Sequence, residues 1–279
     1  RILRQEAVRL GYSSTFSIYD QSDSLRLVTL VMRDLNLDPK RYAPRGVASV
    51  ISNAKNELLG PADYRNATQN QFEEVVAEVY AIYQQRLTAA NAMDFDDLIM
   101  KTVEVLQRFP EARARYRHRF KHILVDEYQD TNHAQYILIR ELVGSDLEGV
   151  PAAQLGVVGD ADQSIYGFRG ATIRNIMQFE EDYPDATTVL LEQNYRSTQN
   201  ILSAANAVIS LNESRKEKNL WSDAGSGAKL TGFVAENEHH EAEFVRDELF
   251  KLQREGISNF GDTAIFYRTN AQSRVFEEV

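Results

Sequence analysis

The sequence predicts an α/β chain in which a helical block is followed by short strands and helices alternating around a parallel sheet. Three observations carry this reading. Up to about residue 120 the apolar residues recur every three or four positions, the period of a helix with one buried face. From His122 onward the segments HILVDEY, LGVVGD, TTVLLEQ, KLTGFVA and DTAIFYR are short, apolar and β-rich, with helix-like stretches between them at 132–143, 170–181, 198–211 and 238–255. Such alternation is the pattern of parallel strands joined by crossover helices. Finally, the strands are nearly continuous apolar runs, as expected when both faces of a sheet are covered.

Within the helical block, Leu25, Val28, Val31 and Leu35 form the first stripe. Val47, Val50, Ile51, Ala54 and Leu58 form a second, with Pro44 near its start and Gly60 just past its end, where each residue suits a helix terminus. Phe72, Val75, Val76, Val79, Tyr80, Tyr83 and Leu87 form a third, whose tyrosines sit at core spacing. Phe95, Leu98, Ile99 and Leu106 form a fourth, and no strand-like alternation competes here. The basic stretch EARARYRHRFKH at 111–122 reads as a solvated helix leading into the first strand; contact with nucleic-acid phosphates is the alternative.

The chain has 279 residues, 31 Lys+Arg against 41 Asp+Glu, a formal charge of −10, 43% hydrophobic residues and no cysteine. That length suits one large domain or two ordinary ones. No apolar run approaches the ~18 residues of a membrane span. The opening RILRQEAVRL mixes charge with isolated apolar positions, unlike a signal peptide. Lack of cysteine excludes disulfides, thiolate zinc sites and cysteine nucleophiles, and fits a reducing, cytoplasmic setting. The acidic balance argues against a whole-surface nucleic-acid coat and leaves a local basic or aromatic groove open. The chain starts without Met and ends on SRVFEEV with no C-cap signal, so a segment cut at both ends is expected.

Three strand ends carry candidate chemistry. ILVDEYQD places Asp126 and Glu127 where an apolar run stops, and ligands of open α/β sheets bind beyond the carboxyl ends of strands. An Asp there can hold Mg²⁺, and a neighbouring Glu can orient a water for attack on phosphorus. A solvated strand terminus is the bland alternative, but the longer string DEYQDTN is much more specific. LGVVGD continues as DADQSIYGFRGA, where Gly159, Gly167 and Gly170 allow tight turns. Gln163 can hydrogen-bond a phosphate oxygen or a positioned water. Tyr166 and Phe168 either fold into the core or offer stacking faces to bases, at ~1–3 kcal/mol each. In LEQNYRST, Tyr195 and Arg196 follow a strand and precede a helix; such an Arg either neutralises a transferred phosphoryl group or caps a neighbouring carbonyl. A phosphate loop GxxxxGK[ST] is absent, and the chain has no GK pair at all; AGSGAK at 224–229 has the wrong spacing and reads as a surface linker. His118 with His122, and His239 with His240, read as solvated side chains and not as metal ligands.

Together VDEYQDTNHAQ, VVGDADQSIYGFRGA and LEQNYRST resemble motifs II, III and IV of the UvrD/PcrA/Rep group of superfamily 1 DNA helicases. DFDDL at 94–98 resembles the short element before motif II, and YRTNAQSR at 267–274 the segment called IVa. The resemblance spans essentially the whole chain. It implies two RecA-like P-loop NTPase motor domains, 1A and 2A, with an ATP site in the cleft between them and an all-α 1B insertion within 1A. By that analogy residues 1–17 end the N-terminal part of 1A, 18–90 form 1B, 91–188 the remainder of 1A, and 189–279 a truncated start of 2A.

The resemblance also implies roles. Asp126 resembles the Mg²⁺-associated carboxylate, Glu127 the base, Gln163 the γ-phosphate sensor, Arg196 an arginine finger and Tyr195 the ring that stacks on adenine. Phe95, Tyr166 and Phe168, the last often Trp in relatives, resemble the aromatics over which single-stranded bases pass. Arg169 resembles the residue coupling DNA contact to the nucleotide site, and Arg268 and Asn270 resemble contacts to the DNA backbone. The implied activity is ATP-dependent 3′→5′ helicase and translocase action on single-stranded DNA and DNA junctions in repair or replication, with ATP and Mg²⁺ and no membrane partner. Two alternatives stand beside it: the motor portion of a RecB/AddA-type helicase–nuclease, and a non-catalytic fragment that binds single-stranded DNA. With motifs I, V and VI missing, this segment alone is expected to lack significant ATPase or unwinding activity.

Overall fold

A computed structural model describes residues 1–145, 151–167, 174–177, 179–212 and 218–279. The chain divides between Val189 and Leu190 into two compact units.

In the first unit the apolar stripes become helices with identifiable ends. The short α1 (Ile2–Glu6) leads to β1 (Ser17–Tyr19) and then α2 (Gln21–Asp34). Asp20 starts α2 through a capping box: its side chain accepts from the backbone of Ser22 and Asp23, while the Asp23 carboxylate accepts from the Asp20 N–H. α3 (Pro44–Asn56) and α4 (Pro61–Ala67) each begin on proline, whose missing N–H is not needed there. α5 (Gln71–Ala89) is capped by Asn70. Val28, Val31, Val47, Ile51, Val76, Val79, Tyr80, Tyr83 and Leu87 converge into one core, so the tyrosines at helical spacing are interior.

The helical block is not free of strands. β1 pairs in parallel with β2 (Ala92–Asp94), in the register Ser17↔Ala92 to Tyr19↔Asp94. Each strand is three residues long, too short for alternation to register in a periodicity window. β2 leads directly into α6 (Phe95–Arg108), followed by α7 (Pro110–Arg119). A second core gathers Leu3, Ala7, Tyr12, Phe16, Met93, Val105 and Ala112. The arginines of α7 are absorbed internally: Arg115 donates to Glu6 Oε1 at 2.8 Å, Arg113 to Glu141 Oε2 at 3.4 Å, and Arg117 Nε to the Glu141 carbonyl at 2.8 Å. The basic stretch is therefore largely a set of cross-links and not an open cationic face.

β3 (His122–Val125), α8 (His133–Val143) and β4 (Gln154–Val157) form a parallel β-α-β unit with His122 opposite Gln154 and Val125 opposite Val157. α9 (Arg174–Met177) and α10 (Phe179–Asp182) follow.

The second unit contains α11 (Gln199–Ile209), α12 (Glu238–Arg254) and α13 (Ser273–Glu278). Here the sequence reading needs correction. TTVLLEQ, KLTGFVA and DTAIFYR do not form ladder strands; among the described residues these stretches show only the isolated parallel bridge Gln193↔Trp221. A strand exists only as part of a hydrogen-bonded pair, and these runs lie open, with Val234 95% and Phe266 94% exposed. Among the described residues no helix is long and apolar enough to cross a membrane.

Candidate functional site

The parallel register of β3 and β4 brings two chain reversals side by side. Val158 N–H donates to the Val125 carbonyl at 2.8 Å, and Tyr128 N–H donates to the Val158 carbonyl at 3.0 Å. Between them the backbone turns through Glu127, which adopts a left-handed conformation with φ 50° and ψ 43°. That conformation costs a non-glycine residue on the order of 1 kcal/mol. It is supported locally by Asp126 Oδ1, which accepts from the Glu127 N–H at 2.9 Å. The turn leaves Asp126 and Glu127 exposed and drives Tyr128 and Gln129 fully inside.

Gln129 ties the two reversals together. Its Nε2 donates to Glu127 Oε2 at 2.7 Å, and its Oε1 accepts from the Asp160 N–H at 2.9 Å. Asp160 Oδ2 in turn accepts from Gln163 Nε2 at 2.7 Å, while Asp160 Oδ1 accepts from the Asp162 N–H at 2.9 Å. One hydrogen-bond chain thus runs Glu127–Gln129–Asp160–Gln163. Gly159 makes room for it, because a Cβ there would stand 2.7 Å from Gln129 Oε1 and 2.9 Å from Ile176 Cδ1. Tyr128 braces the turn from below, its ring edge-on to Phe179 at 5.5 Å, and burial pushes its phenol well above the ordinary range. Sequence reasoning did not single out Gln129. The available signal was a neutral amide inside an otherwise acidic and polar string.

Phe95, the first residue of α6, is 57% exposed. Its neighbours face inward. Asp94 Oδ1 accepts from the Asp97 N–H at 2.8 Å, capping α6. The buried Lys55 ammonium lies 2.6 Å from Asp94 Oδ2 and 3.0 Å from Asp97 Oδ1. Tyr83 donates to Asp94 Oδ2 at 2.8 Å, and Gln84 donates to Asp97 Oδ2 at 3.2 Å. Burial opposes the charge on Lys55, but Asp97 and Asp94 more than offset it, and the ammonium is held above the usual lysine range. Burial pushes the Asp97 carboxyl up despite that partner. On the next residue of α3, Asn56 Oδ1 accepts from Asn132 Nδ2 at 3.0 Å. Asn132 is the N-cap of α8, its Oδ1 accepting from the Gln135 N–H at 2.9 Å.

The first unit therefore gathers Asp126, Glu127 and Gln163, and exposes Phe95 and Tyr166. Phe168 and Arg169 lie outside the described residues. Tyr195, Arg196, Arg268 and Asn270 belong to the second unit and are exposed. There Asn194 Oδ1 accepts from the N–H groups of Arg196 (2.9 Å) and Ser197 (2.8 Å), and Tyr195 donates to Gln193 Oε1 at 2.9 Å. Arg268 and Asn270 flank a turn closed by Gln272 Oε1, which accepts from Arg268 N–H and Thr269 N–H, each at 2.9 Å. No cluster of three or more acidic or histidine side chains able to hold a metal occurs among the described residues.

Comparison with known proteins gives two family matches. Residues 1–184 match the UvrD/REP helicase N-terminal domain, and residues 189–279 match the UvrD-like helicase C-terminal domain. The chain is 59% identical over 284 residues to ATP-dependent DNA helicase UvrD1 of Mycobacterium tuberculosis, covering 100% of this chain and 37% of that protein. It is 54% identical over 290 residues to UvrD1 of Mycobacterium leprae and 47% identical over 278 residues to ATP-dependent DNA helicase PcrA of Bacillus subtilis, again covering 100% of this chain and 37% of each relative. The chain thus spans 37% of the length of these curated relatives.

Proposed function

The chain belongs to the UvrD/REP helicase family, with its RecA-like motor fold, and from that premise we propose that it is the hydrolytic segment of an ATP-dependent 3′→5′ DNA helicase. Its track would be single-stranded DNA, its targets DNA junctions in repair or replication, and its setting the cytoplasm. In this reading residues 1–17 and 91–188 belong to 1A, 18–90 to 1B and 189–279 to 2A. The hydrogen-bond chain from Glu127 through Gln129 and Asp160 to Gln163 is the observation that supports it most. It joins a carboxylate suited to activating water to an amide suited to a phosphate oxygen, and it does so through a buried side chain.

The donor set fits Mg²⁺: Asp126 offers an exposed, hard carboxylate oxygen at a strand end, and Mg²⁺ is usually held by one or two carboxylates with water and substrate phosphates. A bound Mg²⁺ would supply charge neutralisation for the phosphates beside Asp126. Glu127 orients the attacking water and takes its proton on the oxygen that Gln129 leaves available. Gln163 Nε2 exchanges Asp160 for a γ-phosphate oxygen. Arg196 neutralises charge on the transferred phosphoryl group, and Tyr195 stacks on adenine. Phe95, Tyr166 and Phe168 carry bases, Arg169 couples them to the nucleotide, and Arg268 and Asn270 hold the DNA backbone.

For residues 1–279 alone, a specific observation favours the non-catalytic reading. The sequence has no GK pair to cradle the β- and γ-phosphates. The segment by itself is expected to bind single-stranded DNA weakly and to turn over no significant ATP. The test uses the complete polypeptide that carries this segment. ATP turnover is measured with and without a dT oligonucleotide, and strand separation on duplexes with a 3′ or a 5′ single-stranded tail. Expected are DNA-stimulated turnover and opening of the 3′-tailed duplex. Turnover indifferent to DNA refutes the motor reading, and opening of only the 5′-tailed duplex refutes the polarity.

A further inference from the structure

Lys55 and Asn56 are consecutive buried residues at the C-terminal end of α3. They reach in different directions. Lys55 pins the β2–α6 junction through Asp94 at 2.6 Å and Asp97 at 3.0 Å. Asn56 pins the start of α8 through Asn132 at 3.0 Å. Phe95 stands between the two aspartates in sequence, facing solvent. Asn132 follows directly on the DEYQDT turn, where Thr131 Oγ1 donates to the Tyr128 carbonyl at 2.7 Å and Asn175 Nδ2 donates to the Thr131 carbonyl at 3.0 Å. A base landing on Phe95 and a phosphate landing at Asp126–Glu127 would therefore act on two helix N-termini held by one turn of α3. Because Lys55, Asn56, Asp94, Asp97 and Asn132 are buried, moving either terminus alone would strand an unpaired charge or amide. Joint movement strands none.

We infer that the Lys55–Asn56 pair is a positioning element that couples single-stranded DNA on Phe95 to hydrolysis at Asp126 and Glu127. This rests on the reading given under Proposed function. Lys55 and Asn56 touch neither reactant; they act by keeping the two termini in one frame. A tie of this kind is a physical link of two packed elements, and its weight is measurable as coupling.

The experiment uses the complete polypeptide, ATP and a dT oligonucleotide. Asn56→Ala removes the link to Asn132 and leaves the Lys55 ion pair intact. It is expected to keep DNA-free turnover and the KM for ATP within about twofold of wild type, while stimulation by saturating DNA falls about tenfold, inside the ~5–150-fold span typical of coupling between sites. Asn56→Asp, which retains the acceptor for Asn132, is expected to restore stimulation to within about threefold of wild type. The double variant Asn56→Ala/Phe95→Ala is expected to lose no more stimulation than the worse single variant, since both lie on one path. The inference is overturned if Asn56→Ala keeps full stimulation. It is equally overturned if DNA-free and DNA-stimulated turnover fall by the same factor with a lowered Tm, if Asn56→Asp fails to restore stimulation, or if the double-variant losses multiply. A wild-type protein with no DNA stimulation instead sinks the helicase reading itself, so the two failures are distinguishable.

Discussion

Replacing Lys55 by Met gives a sharp test of how the first unit is held together. The ammonium is fully buried and serves two carboxylates, at 2.6 Å and 3.0 Å. Its removal leaves the two carboxylates with neutral donors only: Tyr83 and the Asp97 N–H on Asp94, and Gln84 on Asp97. Breaking one side of a buried ion pair costs about 3–5 kcal/mol, because the remaining charge stays desolvated. For a unit of this size each kcal/mol moves the midpoint by about 2–4 °C, so a fall of roughly 6–20 °C is expected. Thermal unfolding of residues 1–279, followed by far-ultraviolet circular dichroism, reads it. The triple variant Lys55→Met/Asp94→Asn/Asp97→Asn removes the stranded charges and is expected to recover at least about half of the loss, since a buried pair can often be replaced by neutral groups at little cost. A drop below about 2 °C for Lys55→Met, or a triple variant no more stable than the single, refutes the reasoning.

Gly159→Ala forces a Cβ to within 2.7 Å of Gln129 Oε1; overpacking of this kind costs about 1–3 kcal/mol, and chemical denaturation should show it while Gly167→Ala, with open space around it, stays near wild type. Phe95→Ala and Tyr166→Ala should each weaken binding of a dT oligonucleotide by about 1–3 kcal/mol in an anisotropy titration. For Phe95, which is 57% exposed, Tm should barely move. In alkali the chain should unfold early. Burial works against the Lys55 charge, the two carboxylates outweigh it, and the folded value lies above the ordinary 10.5. The stabilisation is complete below that value and is lost as pH rises through the folded one. Tyr80 and Tyr83, raised by burial, act in the same sense because they ionise first in the unfolded chain. A circular-dichroism pH titration should therefore show the first unit losing stability above about pH 10, with Lys55→Met lacking part of that dependence.

Local pattern reveals some of this structure and hides the rest, for physical reasons. The helices were legible because Val47, Ile51 and Ala54, or Val76, Val79, Tyr80 and Tyr83, repeat at the period that buries one face, and because Pro44 suits the first position of a helix; the caps Asp20 and Asn70 emerge only in the structure. β1 and β2 were not, since three residues carry no period and their pairing spans the helices α2 to α5. The apolar runs of the second unit looked like strands, yet strand identity belongs to a pair and these runs have no ladder among the described residues. At the site, Asp126, Glu127 and Gln163 were legible because each follows an apolar run in a distinctive string. Gln129 was not: its role depends on the Asp160 N–H, 31 residues further along the chain. Lys55 was hidden for the same reason, because its burial is made tolerable by Asp94, 39 residues away, together with Asp97.

The central claim is that Glu127, held by Gln129 beside Gln163, is the group that activates water for hydrolysis of ATP. Single-turnover hydrolysis by the complete polypeptide on saturating dT oligonucleotide, comparing wild type with Glu127→Gln, tests it most directly. The account predicts a rate lower by about 10²–10⁴-fold with nucleotide affinity little changed, the loss expected of a general base. Hydrolysis by Glu127→Gln within about tenfold of wild type would contradict it.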